Sequence, residues 1–254
     1  MRPSLLPNLI AATGRNKARG MDNFAIFEVG QIYRGDGAAD EDVNVSGIRC
    51  GTDGERHWSA KARPVSIFDA KADLLAALEA VSAPVGSLQT VADGPGWYHP
   101  GRVGSLQLGP KNRIGSFGEI HPRILTAMDV EGPIVAFEIN LDAIPVPKSA
   151  KTTKPALKAS DLQPVRRDFA FVVDDGVAAG DLLRAARGAD KALIDDVSVF
   201  DVFSGGAIGD GQKSIAIEVT LQPRAQTLTD EEIDAVSKKV IEAATKATGA
   251  RLRS

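Results

Sequence analysis

Residues 200–222 have the sequence FDVFSGGAIGDGQKSIAIEVTLQ, in which a glycine-rich stretch separates two runs rich in β-branched and aromatic residues. The glycines favour a connection with positive φ, and the runs over 193–203 and 213–222 favour two paired strands. A phosphate-binding loop would place its glycines between a strand and a helix, whereas here a strand follows. The stretch therefore predicts a β-hairpin. Its glycines are Gly205, Gly206, Gly209 and Gly211.

A strand and a helix are predicted on the N-terminal side of this hairpin. Residues 166–175 alternate in polarity and place Phe169, Phe171 and Val173 on one face of an extended strand. Residues 177–187 place leucine and alanine on one helical face, and Gly188 follows as a stop signal.

A second helix and a last strand are predicted on the C-terminal side. Thr229 and Glu232 have the spacing of a capping box, and apolar residues then recur at helical spacing as far as Gly249. Residues 250–253 form a short final strand. The resulting order, β-α-β-β-α-β, predicts a ferredoxin-like sheet with two helices on one face and an open second face.

The first half of the chain has a different pattern. Residues 1–145 contain five short strand-like segments and one clear helical segment over 66–81. They predict a mostly antiparallel sheet with helices packed against one side, so the fold class is α+β. A stretch rich in Pro, Lys, Ser and Thr follows. We therefore expect a domain over 1–147, a linker over 148–160 and a second domain over 161–254.

Composition limits the possible functions. The chain has 254 residues, 30 basic and 33 acidic, with a net charge of −3, so any contact with RNA must be local. The single cysteine, Cys50, excludes an internal disulfide and is expected to fill the core rather than act as a nucleophile. The start of the sequence lacks a signal peptide, and no apolar stretch approaches the roughly 20 residues of a membrane helix. These features predict a cytoplasmic protein without a membrane partner.

Two histidines and a glutamate offer a possible metal site. Glu119 and His121 would share one face of a predicted strand, and His99 lies in the turn at 98–102. A zinc-dependent enzyme that uses these three residues is one hypothesis. We favour capping of turns and hydrogen bonding within the sheet, because no fourth ligand or close ligand pair accompanies them. No metal ligand is therefore predicted.

The chain contains, in this order, eight segments that also occur in one known family: MRPSLLPNLI, IFEVGQIY, IFDAKADLLAAL, YHPGRVGSLQLG, IGSFGEIHP, PVRRDFAFVV, VFDVFSGGAIGDGQKSIAIEVTLQ and TLTDEEIDA. Through these segments the chain resembles the C-terminal part of the β subunit of bacterial phenylalanyl-tRNA synthetase. The resemblance implies a class II synthetase-like but non-catalytic domain over 1–147 and a ferredoxin-fold anticodon-binding domain over 161–254. It also implies a longer β subunit, with further modules ahead of the part seen here.

The same resemblance implies a function and partners. The chain would belong to a phenylalanine-tRNA ligase and would bind phenylalanine tRNA and a catalytic α subunit, in an assembly of two α and two β subunits. The complete enzyme would use ATP and Mg²⁺, whereas this segment would hold no cofactor.

Catalysis by the first domain itself is not expected. Adenylation by a class II site needs one arginine on the ATP α-phosphate and another stacked on adenine. The best candidate for the second arginine's motif, residues 114–124, has Glu119-Ile120-His121-Pro122 where the nucleotide-binding form has Glu-Arg. We therefore predict no catalytic residues and no adenylation by this chain alone.

RNA binding by the second domain cannot depend on bulk charge. Residues 161–254 contain 12 basic and 16 acidic side chains, a net charge of −4. Basic residues near the strand ends are the candidate contacts, and they could follow a phosphate backbone along one rim, with an exposed aromatic stacking on a base. These residues are Arg166, Arg167, Lys213, Arg224, Arg251 and Arg253.

Three details qualify this hypothesis. Phe200 and Phe203 are expected on opposite faces, so that at most one is available for stacking. Compared with the family, the chain has Ser204, Gly206 and Gln226 where basic residues are common, so contacts there would be weaker or moved to another arginine. The alternative is a purely structural module, in which the charges keep the strand ends soluble and pair with Asp168, Asp174 and Asp201.

Overall fold

The computed structural model describes residues 1–55, 57–146, 156, 160–206 and 208–253. The chain divides into two compact units, Met1–Ala150 and Lys151–Ser254. The linker predicted over 148–160 lies outside the described residues except for residues 156 and 160.

Within its described residues, the first unit contains one six-stranded sheet and three α-helices. The sheet is antiparallel throughout, in the order β1-β2-β6-β5-β4-β3, and its strands are β1 Phe24–Tyr33, β2 Glu41–Cys50, β3 Gln89–Val91, β4 Tyr98–Leu108, β5 Asn112–Ile120 and β6 Ile134–Asn140. The helices are α1 Leu6–Lys17, α2 Ile67–Ala80 and α3 Pro122–Ala127.

The helices of the first unit cover both faces of its sheet. Leu9 of α1 packs in one cluster with Ile134 of β6, whereas Leu74 of α2 packs in another with Val135. Neighbouring strand residues point to opposite faces, so α1 and α2 lie on opposite sides. The expectation that the helices pack against one side is wrong. The reason lies in β6, where Ile134–Ile139 are all buried. Because both faces of this strand are mostly apolar, each face of the sheet must be covered by a helix.

Helix α1 was not among the predicted elements, although its sequence contains two signals. Pro7 occupies the first turn, where its missing N–H costs nothing. Leu6, Leu9, Ile10 and Thr13 are buried at helical spacing. Helix α2 begins after Ser66, where Asp69 completes a capping box.

The second unit has the predicted ferredoxin-like order. Its elements are β7 Val165–Asp174, α4 Ala179–Gly188, β8 Ile194–Ser204, β9 Gln212–Leu221, α5 Asp230–Thr248 and β10 Arg251–Leu252. The strands form an antiparallel sheet in the order β10-β7-β9-β8. Together the two sheets confirm the predicted α+β fold class.

The signals that predicted these elements are largely in place. Thr229 caps α5 with Glu232 as its capping-box partner, and Gly249 ends the helix with φ 69°. Gly205, Gly206 and Gly211 have positive φ in the hairpin, but Gly209 does not. Helix α4 includes Gly188 as its last residue instead of stopping before it. Among the helices of the described residues, none combines the length and apolarity needed to cross a membrane.

Candidate nucleic-acid interface

The sheet of the second unit has one buried face and one that we call the open face. Phe169, Phe171 and Val173 of β7 are buried in a single core with residues of α4 and α5. The alternate residues Ala170 and Val172 are only partly buried and point to the opposite side. That side is the open face, and neither helix of the second unit packs against it in the residues that the structure describes.

The six candidate RNA contacts are divided between the two faces. Arg166 is paired with Thr220 and Arg251 with Val172, which places both on the open face. Arg167 and Lys213 alternate with these positions and therefore share the face of the helices.

The remaining two candidates follow the strands. Arg224 comes after β9, and its Nε donates to the carbonyl of Ala192 at 3.1 Å. Arg253 comes after β10, and its backbone N–H donates to the carbonyl of Ala170 at 2.7 Å.

The six candidates also lie at different ends of the sheet. Val165 is paired with Leu221 and Asp174 with Gln212, so Arg166 and Arg167 lie at the Arg224 end and Lys213 at the other, as predicted. The single rim of basic residues is not observed, because alternation along the strands separates the residues by face as well as by end.

Most of the candidates are not bound by a carboxylate. Arg166 Nη1 lies 3.7 Å from Glu218 Oε1, and both side chains are partly exposed. Within the described residues, the other five candidates have no ion pair within 4.0 Å, and none of the six pairs with the three aspartates that the alternative hypothesis named. Surface ion pairs contribute little to stability, so Arg166 remains available for another anion.

The two aromatic residues of β8 are both accessible. Phe200 is 59% exposed and Phe203 is 45% exposed. The pairing with β9 shifts register between Val199 and Asp201, so Phe200 occupies a bulge. The expectation that at most one of them is available for stacking is wrong, because it assumed an unbroken alternation.

The histidines of the first unit have structural partners. Nδ1 of His99 accepts from the Gly101 N–H and Nδ1 of His121 from the Arg123 N–H, each at 3.1 Å. His121 caps α3 and lies beyond β5, so it does not share a strand with Glu119. The Glu119 carboxylate lies 3.3 Å from Arg102 instead. Among the described residues, no three His, Cys, Asp or Glu side chains are placed to hold a metal ion.

The motif at residues 114–124 does not fit a bound ATP. Strand β5 leads directly into α3, as in a strand-to-helix nucleotide motif, but Pro122 occupies the first turn and Arg123 is exposed. The position expected for the adenine-stacking arginine belongs to Ile120, which is 1% exposed in the core. The motif therefore supplies packing rather than a cation.

A buried carboxyl group lies on the α1 face of the first sheet. Glu138 is 7% exposed, and its oxygens accept from Ser4 Oγ at 2.6 Å and Trp97 Nε1 at 3.0 Å. Burial raises the pKa of Glu138, and the two hydrogen bonds oppose that shift. Burial also raises the pKa of the Cys50 thiol, which favours the predicted role of Cys50 in the core.

Comparison with known proteins adds the family. A sequence model of the family described as "Phenylalanyl tRNA synthetase beta chain CLM domain" matches residues 1–141. A second, described as "Ferredoxin-fold anticodon binding domain", matches residues 160–253. The chain belongs to the phenylalanyl-tRNA synthetase β-chain family. The predicted resemblance is thus confirmed.

Individual relatives agree with this assignment. The chain is 53% identical over 255 residues to the phenylalanine-tRNA ligase β subunit of Rhodospirillum rubrum, and 54% identical over 258 residues to that of Mesorhizobium japonicum. A third similar protein is the β subunit from Bradyrhizobium diazoefficiens, at 52% identity. The whole chain is covered in each case, but it spans only 32% of the length of each relative.

Proposed function

We propose that the chain is a part of a phenylalanine-tRNA ligase in which the second unit binds phenylalanine tRNA and the first supports a catalytic α subunit. The open face of the second unit is the observation that carries the proposal. The family match to an anticodon-binding domain over 160–253 agrees with it.

The open face has the chemistry that single-stranded RNA needs. A four-stranded sheet with exposed aromatic residues can stack unpaired bases, and arginines can contact phosphates. Phe203, Arg166 and Arg251 supply both kinds of group on this face. We propose residues 161–254 as the RNA-binding domain, and Arg167, Lys213, Arg224 and Arg253 as further contacts around it.

The first unit has a surface suited to a partner subunit. Phe27 and Val29 of β1 are 73% and 56% exposed, on the edge strand of the six-stranded sheet. Neighbouring exposed apolar side chains on an open sheet edge often mark an interaction surface, whereas single exposed apolar side chains are common on any protein. We propose that residues 1–147 contact the α subunit here, in a complex of two α and two β subunits in the cytoplasm, and that ATP and Mg²⁺ act at the α subunit.

The partner surface can be tested by co-purification of the chain with the α subunit. Replacement of Phe27 and Val29 by glutamate should abolish the complex and leave the thermal unfolding of the chain unchanged. Phe68→Glu is the matched control, since Phe68 is 71% exposed on α2. Equal loss in the control, or retention of the complex in the double variant, would contradict the proposed surface.

A further inference from the structure

One row of side chains crosses the open face over all four strands of the second unit. Arg251 is paired with Val172, Val172 with Ser214, and Ser214 with Phe203. Residues paired across antiparallel strands point to the same face, and three spacings of about 4.8 Å separate Arg251 from Phe203 by about 14 Å. The row joins a guanidinium at one edge of the sheet to an aromatic ring at the other.

The basic end of the row borders a cavity of about 470 Å³. Arg251 Nη2 donates to Gln212 Oε1 at 3.2 Å, and Gln212 Nε2 donates to Asp174 Oδ1 at 3.3 Å. These contacts hold the Arg251 side chain over the cavity but leave most of its N–H groups available. The cavity is lined by Val172 of β7, by Gln212 and residues of the hairpin, and by Arg251 and Arg253.

Arg253 adds a second cation to the same cavity. It lies two positions after Arg251, and the bond from its N–H to the Ala170 carbonyl holds the chain beside β7. Within the described part of the chain, neither arginine has a carboxylate within 4.0 Å. Two guanidinium groups without a carboxylate partner favour a phosphate, which accepts several charge-assisted hydrogen bonds.

The aromatic end of the row is formed at the start of the hairpin. Phe203 is 45% exposed and is paired with Ser214, which is buried and small. A side chain at Gly206 would come within 3.5 Å of the Phe203 ring, so the ring lies against the hairpin backbone. One part of the ring is thus supported while another remains accessible to a base.

We propose that this row is a subsite for two consecutive unpaired nucleotides, with one phosphate held by Arg251 and Arg253 and one base stacked on Phe203. The inference rests on the proposed function and specifies where on the open face the RNA strand lies. Sheets of four strands that bind single-stranded RNA stack two or three bases on their aromatic side chains. Arg167 and Lys213, which share the other face, contribute less.

The test is the affinity of the 254-residue chain for phenylalanine tRNA, measured by fluorescence anisotropy at several salt concentrations. The variants are R251Q/R253Q and F203A. The charge-matched control is K238Q/K246Q, which removes two exposed cations from α5. Thermal unfolding of each variant shows that it folds.

The two variants should weaken tRNA binding with different salt dependences. R251Q/R253Q should weaken binding about 10-fold or more. It should also make the negative slope of log K against log salt shallower, by about 0.7 to 1.4. F203A should weaken binding roughly 5- to 100-fold and leave the slope unchanged, because stacking releases no counterions. The control should match the unmodified chain to within about 2-fold, since its lysines lie outside the contact.

Three outcomes would contradict the inference. If the chain binds but R251Q/R253Q matches the control, the phosphate contact is wrong while the proposed function stands. If F203A leaves the affinity unchanged, the stacked base is wrong, again with the proposed function intact. If the unmodified chain fails to bind phenylalanine tRNA at low salt, both the inference and the RNA-binding role of the chain are overturned.

Discussion

Arg166 and Arg167, adjacent in sequence, point to opposite faces of the four-stranded sheet. Arg166 is paired with Thr220 on the open face, whereas Arg167 is paired with the buried Val219. Their charges therefore cannot act as one pair on a single RNA strand lying across the open face.

This division predicts unequal roles for the two arginines. Replacement of both by alanine should weaken binding of phenylalanine tRNA by about 1 to 3 kcal/mol without unfolding the chain. Arg166→Gln alone should reproduce most of that loss, and Arg167→Gln should have an effect below about 0.5 kcal/mol. Affinities of the single variants check this, and a larger loss for Arg167→Gln would show that RNA approaches from the helix side.

The start of α2 predicts a pH-dependent contribution to stability. Asp69 accepts two hydrogen bonds from Arg63, at 2.7 and 2.8 Å, and one from the Ser66 N–H. These contacts hold the pKa of Asp69 below its ordinary value of 3.8, so the group stabilises the fold above that pH and ceases to do so as the pH falls through its lowered pKa. Asp69→Asn should lower the free energy of unfolding by about 1 kcal/mol at pH 7.

Chemical denaturation of the unmodified chain and Asp69→Asn between pH 7 and pH 3 measures this contribution. The difference between the two proteins should shrink below about pH 4. Asp53→Asn is the control, because Asp53 also contacts Arg63, at 3.1 Å, but belongs to no helix cap. A difference that stays constant with pH would contradict the assigned cause.

The stability contributed by Glu138 should depend on pH in the opposite direction from that contributed by Asp69. Because burial raises its pKa, the folded state holds the proton more tightly than the unfolded state, and stability from this group falls as the pH rises above about 4.5. Glu138→Gln does not titrate. The stability of the variant relative to the unmodified chain should therefore increase between pH 4 and pH 7.

Chemical denaturation over the same pH range measures the stability of Glu138→Gln relative to that of the unmodified chain. Glu79→Gln, at an exposed position of α2, should show no such trend. A relative stability of Glu138→Gln that falls with rising pH would show that the Ser4 and Trp97 hydrogen bonds outweigh burial.

Adenylation should be absent from this chain alone. The core position of Ile120 and the capping role of His121 leave no arginine where adenine would stack. Exchange of pyrophosphate into ATP, dependent on phenylalanine, should be undetectable with the purified chain and present with the complete ligase. Exchange by the chain alone would overturn the non-catalytic assignment of residues 1–147.

Much of the second unit could be predicted from its sequence because its signals are local. The alternation of Phe169, Phe171 and Val173 and the capping box at Thr229 depend on residues within a few positions of one another. The opposite faces of Arg166 and Arg167 follow from the same alternation and could have been predicted. The bulge at Phe200 could not, because it depends on pairing with β9.

The first unit was less predictable because its arrangement depends on long-range pairing. Burial of β6 on both faces gives a continuous apolar run that does not show which helix covers which side. The cavity beside Arg251 likewise joins the hairpin, β7 and the end of the chain, which are distant in sequence. Helix α1 was missed although Pro7 and the spacing of Leu6, Leu9 and Ile10 indicated it.

The proposed RNA-binding role is tested most directly by a salt titration of the 254-residue chain against phenylalanine tRNA, with a non-cognate tRNA as control. We expect a complex that weakens steeply with salt and prefers phenylalanine tRNA, because local arginines and stacked bases would form the contact despite the net charge of −3. Absence of binding at low salt would contradict it and would leave the chain as a structural support for the α subunit.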